Sequence, residues 1–140
     1  MLLQATCVAI GERAVLLLGP PGCGKSTLAL HLLDRGARLV GDDGVTLTVL
    51  GDRVMAAPAP QIAGLIEVRN VGLVHMPAVR APVALILHLT DAAPRFVERA
   101  GSEDLLGIAV PELQFDPTIP AAAIRAELAL EQFGIRFDLP

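Results

Sequence analysis

Gly19-Pro20-Pro21-Gly22-Cys23-Gly24-Lys25-Ser26 spells G-x-x-x-x-G-K-S, the phosphate-binding P-loop. An apolar run, Ala14-Val15-Leu16-Leu17-Leu18, leads into it, and a helix-forming stretch, Ser26 to Arg35, leads out. That strand–loop–helix context is the one the motif needs. The glycines let backbone N–H groups close around phosphate oxygens, and the helix N-terminus adds its positive dipole end. Lys25 is placed to reach the β- and γ-phosphates and the Ser26 hydroxyl to ligate Mg²⁺. Gly19, Pro20, Pro21, Gly22, Cys23, Gly24, Lys25, Ser26 and Thr27 are therefore the expected phosphate-contacting residues. The bland reading is a glycine turn joining strand to helix. All four fixed positions and both flanks argue against it, so a nucleoside triphosphate or a close phosphate relative is the expected ligand.

Outward from the loop, the pattern alternates strands and helices. Leu3 to Ile10 and Ala14 to Leu18 read as strands separated by Gly11-Glu12-Arg13. The helix after the loop stops at Gly36, with Arg35 in its last turn where a cation suits the dipole. Arg38 to Gly41 is a short strand delivering Asp42-Asp43, and Val45 to Leu50 with Arg53 to Ala57 forms a hairpin around Gly51-Asp52. Pro58-Ala59-Pro60 opens a loop towards Ile66 to Gly72. Val83 to Leu89 reads as a central strand. The polar stretch Asp91 to Gly107 reads as a surface loop or lid. Leu113 to Phe115 is expected at a sheet edge, and Ala121 to Phe133 as a helix ended by Gly134. The expected fold class is α/β: residues 1–140 as one P-loop domain, with a central β-sheet flanked by helices.

Composition narrows the function classes. Hydrophobic residues make up 53% of the 140 and charged residues 19%, which is globular rather than disordered. No apolar run approaches the roughly 18 residues that span a bilayer, so no membrane partner is expected. The N-terminus, Met1-Leu2-Leu3-Gln4, lacks the basic region of a secretory signal. A net charge of −4, a single lysine (Lys25) and no Trp or Tyr argue against nucleic acid as the main partner. Cys7 and Cys23 have neither disulfide-scaffold number nor metal-ligand spacing, and a reducing cytoplasm fits them best.

A P-loop names a ligand, not a reaction. Asp42-Asp43 follows a short strand soon after the P-loop helix, where strand ends border the ligand crevice of an open α/β sheet. A carboxylate there either holds Mg²⁺ or takes a proton from an attacking hydroxyl; the bland alternative is an Asp-Asp-Gly surface turn. Glu67-Val68-Arg69, followed by Asn70 and Gly72, offers a carboxylate and a guanidinium for metal and phosphate together. A strand with one charged face explains those residues as well, and on the residues alone is the simpler reading.

Together these elements resemble the catalytic domain of HPr kinase/phosphorylase, with its phosphoenolpyruvate-carboxykinase-like fold. The resemblance is carried by Gly19 to Leu30, by Asp34-Arg35-Gly36-Ala37-Arg38-Leu39-Val40-Gly41-Asp42-Asp43, and by Ile66-Glu67-Val68-Arg69-Asn70-Val71-Gly72-Leu73. It covers Gln4 to Val74 well and the remainder loosely. It implies a Mg²⁺- and ATP-dependent kinase acting on a serine of HPr, the phosphocarrier of the sugar phosphotransferase system. It also implies the reverse reaction, in which inorganic phosphate removes that phosphate and pyrophosphate is released. On this likeness Lys25 steadies the transferring phosphate, Ser26 and Glu67 ligate Mg²⁺, Arg69 joins the nucleotide site, Asp43 is the base and Asp42 assists it. Arg99 resembles the family's catalytic arginine before a glycine; a solvated arginine in a charged loop explains it nearly as well. Family members assemble through these domains, so a homo-oligomer is also implied.

Four departures stand out. The chain starts almost at the catalytic domain, as in a short single-domain type. Gln4 stands where the family has an active-site histidine, and glutamine cannot shuttle protons near neutral pH. Asn70 replaces the signature glycine and is the non-glycine best able to tolerate a positive φ. The family's late basic segment appears as Asp116-Pro117-Thr118-Ile119-Pro120-Ala121, without a cation, so phosphorolysis is expected to be weak or lost.

His31 and His88 are expected to be packed or edge histidines rather than ligands. His75 follows the signature stretch and carries no assignment. Thr90-Asp91 mimics an acid ending a Walker B strand, although a charged turn is the commoner explanation. Two other functions remain open: a small-metabolite kinase, for which Arg95 to Asp104 makes a thin lid, and an ATP-binding regulator without turnover. A module of a larger motor fits less well, since the chain has no room for a sensor region.

Overall fold

The structure is a computed structural model that describes residues 1–137. The alternating apolar runs become strands β1 (Leu2–Leu3), β2 (Thr6–Ile10), β3 (Arg13–Leu18), β4 (Arg38–Gly41), β5 (Val45–Leu50), β6 (Arg53–Pro58), β7 (Leu65–Val68), β8 (Gly72–His75), β9 (Ala81–Leu89), β10 (Gly101–Leu105) and β11 (Ile108–Phe115). The helices are α1 (Lys25–Asp34) and α2 (Ala122–Phe133), with one 3-10 turn at Pro60–Ile62. The main sheet runs β1-β5-β6-β9-β3-β2-β4, with β11 pairing β9 and β10 pairing β11; β7 and β8 form a separate two-stranded sheet.

At the centre, β3 and β9 run parallel, paired from Ala14↔Val83 to Leu18↔His88. Both are buried on both faces, which is why they read as continuous apolar runs rather than alternating ones. A register shift between Ala14 and Val15 puts Ala84 and Leu85 on the same side, and alternation resumes after it. On one face Val15, Leu17, Leu85, Leu87 and Leu89 pack against Leu28, Ala29 and Leu32 of α1 and Ala126 and Leu130 of α2. On the other, Leu16 and Ile86 pack with Val45, Leu47, Val54 and Ala56 of the β5–β6 hairpin, so the sheet curls over to close its own second core.

The α/β architecture with a central sheet and helices is as expected, and both helices sit on one face. Local differences have physical causes. The run Leu3 to Ile10 is split at Gln4-Ala5. Leu3, together with Leu2 before it, leaves to pair with β5 (Leu2↔Thr46, Leu3↔Val45), while Thr6 to Ile10 pairs with β3. The stretch from Ile66 to Gly72, for which a strand with one charged face is the simpler reading, is most of the β7–β8 hairpin, turning at residues 69–71. Within the expected lid, Gly101–Leu105 is a strand paired with β11, so only residues 91–100 and the turn at residues 106–107 are irregular. Its Ser102-Glu103-Asp104 core has little strand propensity, and pairing with β11 overrides it. Leu113 to Phe115 is the end of the longer β11; those three residues pair with β9 and lie beyond β10's partners.

The topology decides where the site is. β2 is antiparallel to both β3 and β4, so β4 points the same way as β3, and β9 does too. The carboxyl ends of β3, β4 and β9 thus share one end of the sheet, where the P-loop, Asp42-Asp43 and the segment after Leu89 emerge.

Candidate active site

The P-loop leaves β3 through Gly19 and meets α1 at Gly24, the helix N-cap, which has φ 104°. Gly22 has φ 81°. Glycine reaches these left-handed conformations without a side-chain clash. The Cys23 N–H donates to Pro20 O at 3.2 Å, which closes the turn. Lys25 Nζ donates to the carbonyls of Gly19 and Pro20. The ammonium is therefore held over the loop.

Asp42 is the organising residue. It is buried, and its Oδ1 accepts the Ser26 hydroxyl at 2.8 Å and the Thr6 hydroxyl at 3.0 Å. Its Oδ2 accepts the backbone N–H of Glu67 at 3.2 Å. One carboxylate thus ties the P-loop helix, β2 and the β7–β8 hairpin together. Three hydrogen bonds satisfy a charge that would otherwise be costly to bury. Gly41 just before it is required by packing: a Cβ there would collide with the Gly44 carbonyl and approach Val45 Cγ1 to 2.7 Å.

Asp43 behaves oppositely. It is exposed, has φ 62°, and among the described residues its Oδ1 accepts only Gln4 Nε2, at 3.4 Å. Non-glycine residues rarely adopt that conformation, though Asp does so more readily than most. It turns the two adjacent carboxylates in different directions, one into the protein and one out.

These groups line one cleft of about 890 Å³, together with Gly19, Pro21, Gly22, Gly24, Lys25, Ser26, Thr27, Glu67, Arg69 and Asn70. Of the expected phosphate-contacting residues, Pro20 and Cys23 do not line it; Cys23 is half-buried against the core. Glu67 projects from β7 and Arg69 from the hairpin turn, and both are exposed at the cleft. Asn70 takes φ 69°, so the turn keeps the positive φ that the signature glycine would supply. Ser26, Asp42 and Glu67 offer oxygen donors only, the ligand chemistry that suits Mg²⁺, and the Ser26–Asp42 bond already brings two of them together.

Arg99 is exposed in the segment after β9 and does not line the cleft. Asp91 is exposed and outside it too, in a turn where the Ala92 N–H donates to Thr90 Oγ1 at 3.1 Å. His31 is exposed on α1 and His75 is exposed on β8; neither lines this cleft. Thr6 was missed by reading the sequence. Its one available signal was a hydroxyl inside the apolar strand Ala5-Thr6-Cys7-Val8, since a buried polar group needs a partner. In the same strand burial pushes the Cys7 thiol far up, so Cys7 is packing, not chemistry.

Residues 1–116 match the family model of the HPr Serine kinase C-terminal domain. The chain belongs to that family. An HPr kinase/phosphorylase of Xanthomonas campestris is 35% identical over 135 residues, covering 84% of this chain and 42% of that protein. One from Limosilactobacillus reuteri is 30% identical over 125 residues, covering 79% of this chain and 39% of its own length. The chain thus spans about two fifths of the length of these curated relatives. The HPr(Ser) kinase/phosphatase structure from Coxiella burnetii superposes with a TM-score of 0.81 at 26% identity, covering 94% of this chain and 95% of that one. No helix among the described residues is long and apolar enough to cross a membrane.

Proposed function

We propose that this chain is a Mg²⁺- and ATP-dependent kinase that phosphorylates a serine of an HPr-type phosphocarrier in the cytoplasm. The observation that carries the reading is the pair of unlike carboxylates: Asp42 bonded to Ser26, and Asp43 open beside the same P-loop. Phosphoryl transfer depends on in-line positioning and charge neutralisation more than on covalent chemistry by the protein. Lys25 would neutralise the transferring phosphoryl group. Ser26, Asp42 and Glu67 would hold Mg²⁺, which when bound supplies positive charge against the phosphates. Asp43 would accept the proton of the incoming serine hydroxyl. The serine oxygen forms its bond to the γ-phosphorus as the bond to the β–γ bridging oxygen breaks, releasing ADP. Arg69 stands where it can meet phosphate from the hairpin side.

Phosphorolysis is expected to be weak. Asp116 stands in place of the family's basic segment, next to Pro117, which packs beside Gly24 of the P-loop. Hydrogen bonds from the Thr118 hydroxyl and backbone N–H hold the Asp116 carboxyl below its ordinary range, so it stays anionic where inorganic phosphate would approach. Incubating the chain with Mg-ATP and HPr from the same host, and reading HPr's intact mass, tests the kinase reading. A gain of one phosphate that disappears in Asp43→Asn supports it; ATP binding without any gain refutes it. Brisk pyrophosphate release from phospho-HPr and phosphate would overturn the second part.

One observation favours a second reading, an ATP-binding regulator without turnover. The only side chain bonded to Asp43 among the described residues is the Gln4 amide, which cannot relay a proton. The same mass measurement separates the two.

A further inference from the structure

A second set of ligand-type side chains sits on the sheet outside the cleft. His88 on β9, Glu103 on β10 and Glu112 on β11 come from three neighbouring strands and project from one face, that of the second core. His88 Nε2 lies 2.7 Å from Glu112 Oε2 and 3.5 Å from Glu103 Oε1. The three ligand atoms all fall within 4.8 Å of one another.

A neutral imidazole has at most one proton on Nε2, so it can satisfy one of these carboxylates at a time. Among the described residues no lysine, arginine or backbone N–H is bonded to either glutamate. An Nε2 without a proton and the two carboxylates offer three ligand atoms within reach of one cation. Three protein ligands is the number found at open zinc sites, and an imidazole selects Zn²⁺ over Mg²⁺. The scaffold is also shaped for the cluster. Gly101 pairs directly with Glu112, and a Cβ there would lie 3.0 Å from Glu112 Oε1 and 3.2 Å from its Cγ. Glycine at that position gives the glutamate side chain its seat.

We propose that His88, Glu103 and Glu112 form a Zn²⁺ site separate from the oxygen-only set at Ser26, Asp42 and Glu67. His88 is opposite Leu18, the last residue before the P-loop, so bound metal would staple the β10–β11 hairpin to the strand pair that carries the nucleotide loop.

The test uses the whole chain, stripped of metal, with Mg²⁺ in excess to fill the oxygen-only set. Zn²⁺ is titrated calorimetrically and by thermal melting, and Co²⁺ serves as a spectroscopic probe. The expected result is one Zn²⁺ per chain, a rise in Tm on binding, and a Co²⁺ spectrum without a thiolate band, which excludes Cys23. His88→Gln and Glu112→Gln should each weaken Zn²⁺ binding about tenfold or more. Both should fold as judged by circular dichroism, and Glu103→Gln replaces either one that does not. Zn²⁺ affinity unchanged in these variants, or lost in Ser26→Ala instead, would overturn the proposal.

Discussion

The two walls of the cleft are built on opposite principles. The inner wall, formed by Thr6, Ser26 and Asp42, is buried or half-buried and hydrogen-bonded. The outer wall, formed by Asp43, Glu67, Arg69 and the hairpin turn, is exposed and has few partners. Asp42 and Asp43 are adjacent in sequence, yet they fall on different walls because Asp43 takes a left-handed backbone conformation. The difference teaches which residues hold the geometry and which stand open to solvent. A buried, satisfied carboxylate cannot move without leaving donors unpaired, whereas an exposed one is free to exchange its partner.

The contrast can be broken most sharply at Asp43. If Asp43 is the base, as proposed, Asp43→Asn keeps the shape and removes it, so transfer to HPr should fall by about 10²–10⁴-fold while ATP affinity and melting temperature hold. An equal loss of ATP affinity would mean that Asp43 belongs with the inner wall. Thr6→Val tests that wall directly. Removing a buried donor from Asp42 should cost about 1–3 kcal/mol of stability, visible in urea unfolding, with a smaller loss of transfer rate. A neutral result would show that Ser26 and the Glu67 amide suffice to hold Asp42.

Gln4→His sharpens the comparison from the outer side. It places a group that titrates between about pH 5 and 8 beside Asp43, so the pH–rate profile should gain an inflection in that range that the parent lacks. An unchanged profile would show that position 4 takes no part in proton movement. The smallest effect is expected at Arg99, outside the cleft: Arg99→Ala should leave ATP affinity unchanged in an equilibrium titration. A marked loss of transfer rate in that variant would show that residues 90–100 fold over the outer wall during turnover.

Much of the inner wall was legible in the sequence. Ser26 is set, with Lys25 beside it, by a motif whose glycine spacing leaves the backbone few alternatives, and Asp42 follows a strand short enough to place it by counting. Asn70 was legible for a similar reason, since few other side chains tolerate its positive φ. Thr6 and the Gly101–Leu105 strand were not. A single hydroxyl or a polar five-residue run carries no local signal of the partner that will claim it. The opposite orientations of Asp42 and Asp43 were equally hidden, because Asp-Asp-Gly is ordinary turn composition.

The sequence alone determined the phosphate loop, the alternation of apolar runs that makes an α/β sheet, and the family stretches from Gly19 to Leu73. These are local properties, in which spacing and side-chain type act on the nearest few residues. Only the tertiary structure decided that β4 ends beside the P-loop, that Asp42 is buried among three donors, and that His88 faces Glu103 and Glu112. Those contacts join residues 15 to 36 positions apart, and which of them form depends on how the strands order and curl, a property no single segment contains.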